Sequence, residues 1–138
     1  MSDCVFCKIV AGEIPSHKVW EDDQVLAIMD IGHVNPGHTL VLSKAHADTM
    51  MDLDEAVAGQ AFVIANRIAK LLDETFTPAG MTILQANRPA GFQTVSHFHL
   101  HVLPRQADDG VTLTWPGKNP PQEELAERAA MLRERLQG

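Results

Sequence analysis

Between Asp52 and Glu74 the apolar residues Val57, Ala61, Ile64, Ala65, Ile68, Leu71 and Leu72 recur at helical spacing. This period predicts one long amphipathic helix whose apolar stripe covers a sheet. Asp52, with Glu55 three residues on, resembles a capping box and sets the expected helix start. Elsewhere the runs are short. "KVWEDDQVLAIMDI" reads as two strands joined at Glu21–Asp22–Asp23. In the second, Leu26, Ile28 and Asp30 share one face, and Val25, Ala27 and Met29 the other. "HVNPGH" is a turn built on Asn35–Pro36–Gly37, and "HTLVLSK" gives a third strand. "GMTILQAN" is a fourth strand, "RPAGFQTVS" a loop and "HFHLHVLP" a fifth strand. "TWPGKNPP" reads as an extended connector. After it, Gln122–Arg135 is charged, with Leu125, Ala129, Leu132 and Leu136 at helical spacing, which predicts a surface helix.

Strands on both sides of one long helix, joined mostly by short connections, suit the α+β class. The expected architecture is a mainly antiparallel five-stranded sheet with one long helix packed on it and a C-terminal helix. There is no Rossmann-type alternation and no phosphate-binding glycine fingerprint.

Charge and length narrow the function classes. The chain has 138 residues, the size of one domain, and a net charge of −7. No Lys/Arg cluster offers a duplex-binding patch, so no nucleic-acid partner is expected. No run approaches the ~20 apolar residues of a membrane span, so no membrane partner is expected either. "MSDCVFCKIVAGEIP" carries Asp3 and Glu13 and does not read as a signal peptide, which makes a cytoplasmic location the default expectation. The two cysteines, Cys4 and Cys7, form a C-x-x-C, which in a reducing compartment points to metal or redox chemistry.

The fifth strand poses the chemical question. His97, His99 and His101 alternate with Phe98, Leu100 and Val102. In a strand the three histidines share one face, about 6.7 Å apart, while the apolar residues face the core under the long helix. Three readings follow: a solvated strand face that happens to be histidine, a metal site of converging neutral imidazoles, or nucleophilic catalysis with one imidazole attacking and its neighbours orienting it and binding charge.

The pattern "HFHLHVL" resembles the signature of the histidine triad (HIT) superfamily of nucleotide hydrolases and transferases. The resemblance extends to "CVFCKIVAGEIPSHKVWEDDQVLAIMDI", "NPGHTLVLSKAH" and "QAN" followed by "GFQTVSHFHLHVLPR", in the family's order. It implies a HIT domain over residues 1–110, with 111–138 a C-terminal extension carrying the surface helix within the same single domain. It also implies a hydrolase acting on the α-phosphate of purine nucleotide conjugates through a nucleotidyl-histidine at His99. A low-turnover nucleotide-binding sensor or scaffold, or a nucleotidyl transferase, is the alternative.

The resemblance also assigns residues. His101 would hydrogen-bond the α-phosphate oxygens, His38 would contact the phosphate or leaving group, and Gln93 and Thr94 would contact phosphate. Asp30 would take the ribose hydroxyls. Phe6, Ile9, Ile28 and Ile31 would form the slot for the base, with ordinary core as the other reading of Ile9 and Ile31. Asn87 would bind sugar or phosphate. Cys4, Cys7, His46 and His97 match a structural Zn²⁺ set used by some relatives; the other reading is free cysteines and unligated histidines. "HVLPR" with "DDG" resembles the dinucleoside polyphosphate hydrolase branch. "CKIVAGEIP" and "EDDQVLAIMDI" resemble the phosphoramidase branch, so the leaving group stays open between a nucleotide and an amine. A homodimer is implied as well.

Overall fold

The structure, a computed structural model, describes residues 3–138. Five strands form one sheet: β1 (Lys18–Glu21), β2 (Val25–Met29), β3 (Thr39–Ser43), β4 (Gly80–Gln85) and β5 (His99–Arg105). Their spatial order is β1-β2-β3-β5-β4, and every neighbouring pair is antiparallel. Three helices, α1 (Val5–Val10), α2 (Glu55–Phe76) and α3 (Gln122–Gln137), complete the α+β fold.

The three central strands are buried on both faces, which explains their unbroken apolar runs. Val25, Ala27, Val41, Phe98, Leu100 and Val102 pack under Ala61, Ile64, Ala65, Ile68 and Leu72 of α2. Leu26, Ile28, Leu40 and Leu42 face the other way and pack with Phe6 of α1. Register then does the positioning. Leu40 lies opposite both Ile28 and His101, and Leu42 opposite both Leu26 and His99. The histidine face of β5 therefore continues the apolar row that supports α1.

Helix α2 begins two residues later than the capping-box reading places it. Asp54, not Asp52, is the N-cap, its carboxylate accepting from the Ala56 N–H at 2.8 Å. Asp52 belongs to a preceding 3₁₀ turn, Met50–Asp52, and accepts the Thr49 hydroxyl at 2.9 Å. Leu71, expected in the buried stripe, is 56% exposed, beside a drift of the stripe toward Leu72. Helix α1 carries no element in the sequence reading, because six residues are under two turns. Helix α3 extends to Gln137, and none of its residues is buried. No described helix is long and apolar enough to cross a membrane.

Candidate active site

The imidazole of His99 is 5% exposed, and its Nδ1 lies 2.8 Å from the carbonyl oxygen of His97. A carbonyl only accepts, so Nδ1 carries the proton and Nε2 keeps its lone pair. Phe6 meets the ring edge-on at 5.0 Å. Burial pushes the His99 pKa down, against the opposing pull of the His97 carbonyl and Asp30. The ring therefore stays neutral at pH 7.

His38 and His101 hold the opposite tautomer. The Val34 N–H points at His38 Nδ1 at 3.3 Å, so that nitrogen accepts and Nε2 carries the proton. His38 Nε2 lies 2.9 Å from His101 Nδ1 and 3.4 Å from Asp30 Oδ2. His101 Nδ1 accepts, which leaves its Nε2–H as a donor. Burial, then the neighbouring His99 and His38, lower the His101 pKa to about 4. Burial also lowers that of His38, with Asp30 opposing. Side by side stand a nucleophilic nitrogen and an N–H donor, with ring centroids 5.2 Å apart.

Both rings open onto a pocket of about 350 Å³, which is also lined by Phe6, Ile9, Ile28 and Asp30. Asp30 follows β2, and its Oδ1 accepts the Gly32 N–H at 2.8 Å. Ile31 stands on the rim, 94% exposed, and is not core. Ile9 is half-buried against the α1 cluster. Thr94 lines this pocket and an adjoining groove of about 510 Å³, bordered by Asp3, Asp48 and Val95. Gln93 and Asn87 do not line the pocket. Gln93 donates to the Asp48 carbonyl and accepts from Arg88 N–H, both at 2.6 Å. The Asn87 amide is held by Gln85 and accepts the Met50 N–H at 2.7 Å. Both amides brace the loops that frame the site. Leu40, directly opposite both Ile28 and His101, also lines the pocket, and its only signal in the sequence is its place in the third-strand run.

Beyond His97 lies a second cluster. Cys4 caps α1, and Cys7 follows one turn later, so C-x-x-C brings both sulfurs to one side. Cys4 Sγ lies 3.2 Å and Cys7 Sγ 3.5 Å from His97 Nδ1. His46 Nδ1 is 3.2 Å from both Cys7 Sγ and His97 Nδ1. Ligands about 2.0–2.3 Å from a tetrahedral Zn²⁺ stand roughly 3.3–3.8 Å from one another, so these four fit that ion. The far ring nitrogens are held too, His97 Nε2 at 2.7 Å from the Ser43 carbonyl and His46 Nε2 at 2.6 Å from Asp48 Oδ1. Carbonyl and carboxylate partners of this kind orient metal-binding imidazoles.

A family profile described as "HIT domain" matches residues 11–108. The chain belongs to the HIT family. A HIT family protein from Bacillus anthracis superposes with a TM-score of 0.91 at 36% identity, covering 96% of each chain. A Zn-bound histidine triad family protein from Mycobacterium smegmatis superposes at 0.74 with 34% identity, covering 99% of each chain. An adenosine 5'-monophosphoramidase of Schizosaccharomyces pombe is 33% identical over 114 residues, 82% of this HIT chain and 83% of that protein.

Proposed function

We propose that this protein is a hydrolase that cleaves purine nucleoside phosphoramidates through a nucleotidyl-His99 intermediate. The observation that carries this reading is the pair of opposite tautomers, His99 with a free Nε2 and His101 with a donor N–H, at one pocket. His99 Nε2 attacks the α-phosphorus, and the P–N bond to the leaving group breaks as its nitrogen takes up a proton from solvent, so that a neutral amine departs and the water of the second step gives that proton back. His101 donates to a phosphate oxygen as charge develops there. Water then cleaves the P–N bond, which returns the lone pair to His99 and releases the nucleoside monophosphate. Asp30 takes the ribose hydroxyls, while Phe6, Ile9 and Ile28 sandwich the base and Ile31 covers its outer edge. Thr94 supplies a phosphate contact. Gln93 and Asn87 reach substrate only by leaving their present partners.

The S. pombe relative's activity supports an amine leaving group, and so does the charge of the site. Among the described residues neither the pocket nor the groove beyond it is lined by Lys or Arg, and Asp3 and Asp48 border the groove. A polyphosphate leaving group would meet carboxylates where it needs cations. We also propose that Cys4, Cys7, His46 and His97 hold a structural Zn²⁺, which when bound fixes α1 to the sheet. The exposed Phe62, Val63, Phe76 and Ile83, with β4 at the sheet edge, support a homodimer formed on that side.

The test compares adenosine 5'-phosphoramidate with a diadenosine polyphosphate, using wild type and His99→Asn. Faster release of AMP from the phosphoramidate, lost in the variant, is expected. Faster cleavage of the polyphosphate, or an adduct trapped on another residue, would overturn the assignment.

A further inference from the structure

"PR" at the end of β5 and "DDG" after it have no role in the site described so far. In the fold, their side chains form a buried network. The Asp109 side chain is 2% exposed. Its Oδ2 accepts from Arg105 Nε at 2.7 Å, Asn35 Nδ2 at 2.9 Å and Gln106 N at 3.1 Å. Its Oδ1 accepts from Arg105 Nη2 and Val111 N, both at 3.1 Å. A carboxylate with five donors is fixed in orientation, and it neutralises the guanidinium beside it.

The network reaches the catalytic histidines through Asn35. The Asn35 amide also donates to the Pro104 carbonyl at 2.8 Å, so one side chain ties the turn before β3 to the end of β5. The Asn35 carbonyl accepts the His38 N–H at 3.2 Å. The neighbouring Val34 N–H sets the His38 tautomer. On its other side the turn presses on α2: a Cβ on Gly37 would meet Leu72 Cδ2 at 2.9 Å, and Gly37 sits at φ +95°. The apolar contact with α2 limits how far the turn can move inward. It carries no directional bond, so the angle at which Val34 and Asn35 present their backbone groups depends on the directional bonds of the turn, among them the Asn35 amide held between the Pro104 carbonyl and Asp109 and the Thr39 hydroxyl on the Gly37 carbonyl at 2.8 Å.

We propose that Asp109 is a positioning residue for the histidine centre, acting through Asn35 to hold His38 and thereby the tautomer of His101. It touches no substrate. The proposal rests on the hydrolase reading for its kinetic consequence, and on the hydrogen-bond chain alone for its structural one.

The kinetic arm uses adenosine 5'-phosphoramidate as substrate. Asp109→Ala lowers kcat about tenfold while KM moves less than about threefold, because binding groups stay in place and the donor to the transition state does not. In a His38→Ala background the same substitution costs less than about twofold, because the coupling runs through His38. Asp109→Asn, which retains one acceptor oxygen, falls between. The spectroscopic arm reads the imidazole ¹⁵N shifts of His38 and His101. Wild type shows a single Nε2–H form of each, and Asp109→Ala shows a mixture at His101. If Asp109→Ala fails to fold, Asp109→Asn carries both readouts in its place, because it leaves the Asn35 bond to the Pro104 carbonyl intact. An equal fold-loss in the two backgrounds, or an unchanged His101 tautomer, overturns the proposal. If wild type leaves the phosphoramidate intact, the hydrolase reading fails, and the ¹⁵N spectra alone decide whether Asp109 positions the histidines.

Discussion

His99 donates its Nδ1–H to the carbonyl oxygen of His97 at 2.8 Å, so the backbone of one triad member sets the chemistry of the next. His97 lies in the bend just before β5, and the peptide unit that carries this carbonyl is pinned by the Phe98 N–H, which donates to the Ala47 carbonyl at 2.8 Å. The lone pair on His99 Nε2 is therefore aimed before substrate arrives, which is the kind of preorganisation a nucleophile needs.

Replacing His99, the proposed nucleophile, tests the site most directly. His99→Asn is nearly isosteric at the Nδ1 end and retains a donor for the His97 carbonyl, but it has no nucleophilic nitrogen. We expect kcat for adenosine 5'-phosphoramidate to fall about 10³-fold or more, with AMP affinity within a few fold. The measurement pairs steady-state kinetics with an AMP titration. Retained turnover in the variant would remove His99 from the nucleophile's role.

The elements with a long, regular period were legible in the sequence: α2, the buried strands and the alternating histidine row. What remained hidden was set by partners far along the chain. Asp52 and Asp54 both suit a helix cap, and only the 3₁₀ turn at Met50–Asp52 decides between them. Helix α1 is too short for a period to show, and cysteine is not a usual cap residue. Asn87 and Gln93 resemble ligand-binding amides in the sequence, but an amide's partner in the fold is a property of the loop: here the Met50 N–H and the Asp48 carbonyl. Asn35 was a turn residue in the sequence, and the carboxylate it meets is 74 residues away. The four residues proposed to hold zinc are picked out by likeness, and the 3.2–3.5 Å contacts of His97 and Cys7 within that group emerge only in the fold.

The Cys4–Cys7–His46–His97 cluster predicts bound zinc with a tunable affinity. Asp48 Oδ1 orients His46 from 2.6 Å, on the side away from the cluster. Asp48→Ala should weaken zinc binding roughly 10- to 100-fold while leaving all four ligands intact. Emission spectroscopy on protein purified without chelator, followed by competition with a chromogenic chelator, reads both stoichiometry and affinity. One zinc per chain in wild type and a weaker site in the variant are expected. No zinc in wild type would end the structural-metal proposal.

Buried neutral imidazoles also set a pH dependence for stability. In the unfolded chain a histidine protonates near pH 6.5, whereas burial holds His99 and His38 lower and His101 at about 4. Below pH 6.5 the unfolded chain therefore binds more protons than the folded one, and stability falls as pH drops toward 4. Urea midpoints at intervals from pH 7 to 4.5 should decline, and the decline should be shallower in His101→Gln. Parallel slopes in the two proteins would show that His101 titrates normally in the folded state.

Phe98 stands between His97 and His99, points to the opposite face and is fully buried beneath α2 with Leu100 and Val102. Its burial is what presses this end of β5 onto the helix. The backbone bonds here lie outside the regular ladder, which begins at His99: Phe98 N donates to the Ala47 carbonyl at 2.8 Å, and the Phe98 carbonyl accepts from Ser43 N at 3.4 Å. Phe98→Ala should cost about 3–5 kcal/mol of folding stability, combining lost apolar burial with a cavity under α2. Phe98→Leu keeps most of the volume and should cost less than half as much. Urea unfolding gives both values. Because the His97 carbonyl that holds His99 belongs to the peptide bond leading into Phe98, the Ala variant should also lose kcat at temperatures where it remains folded. The Leu variant should keep it. Equal kcat in the two variants would mean that the histidine row is held by its own hydrogen bonds and does not depend on the packing behind it.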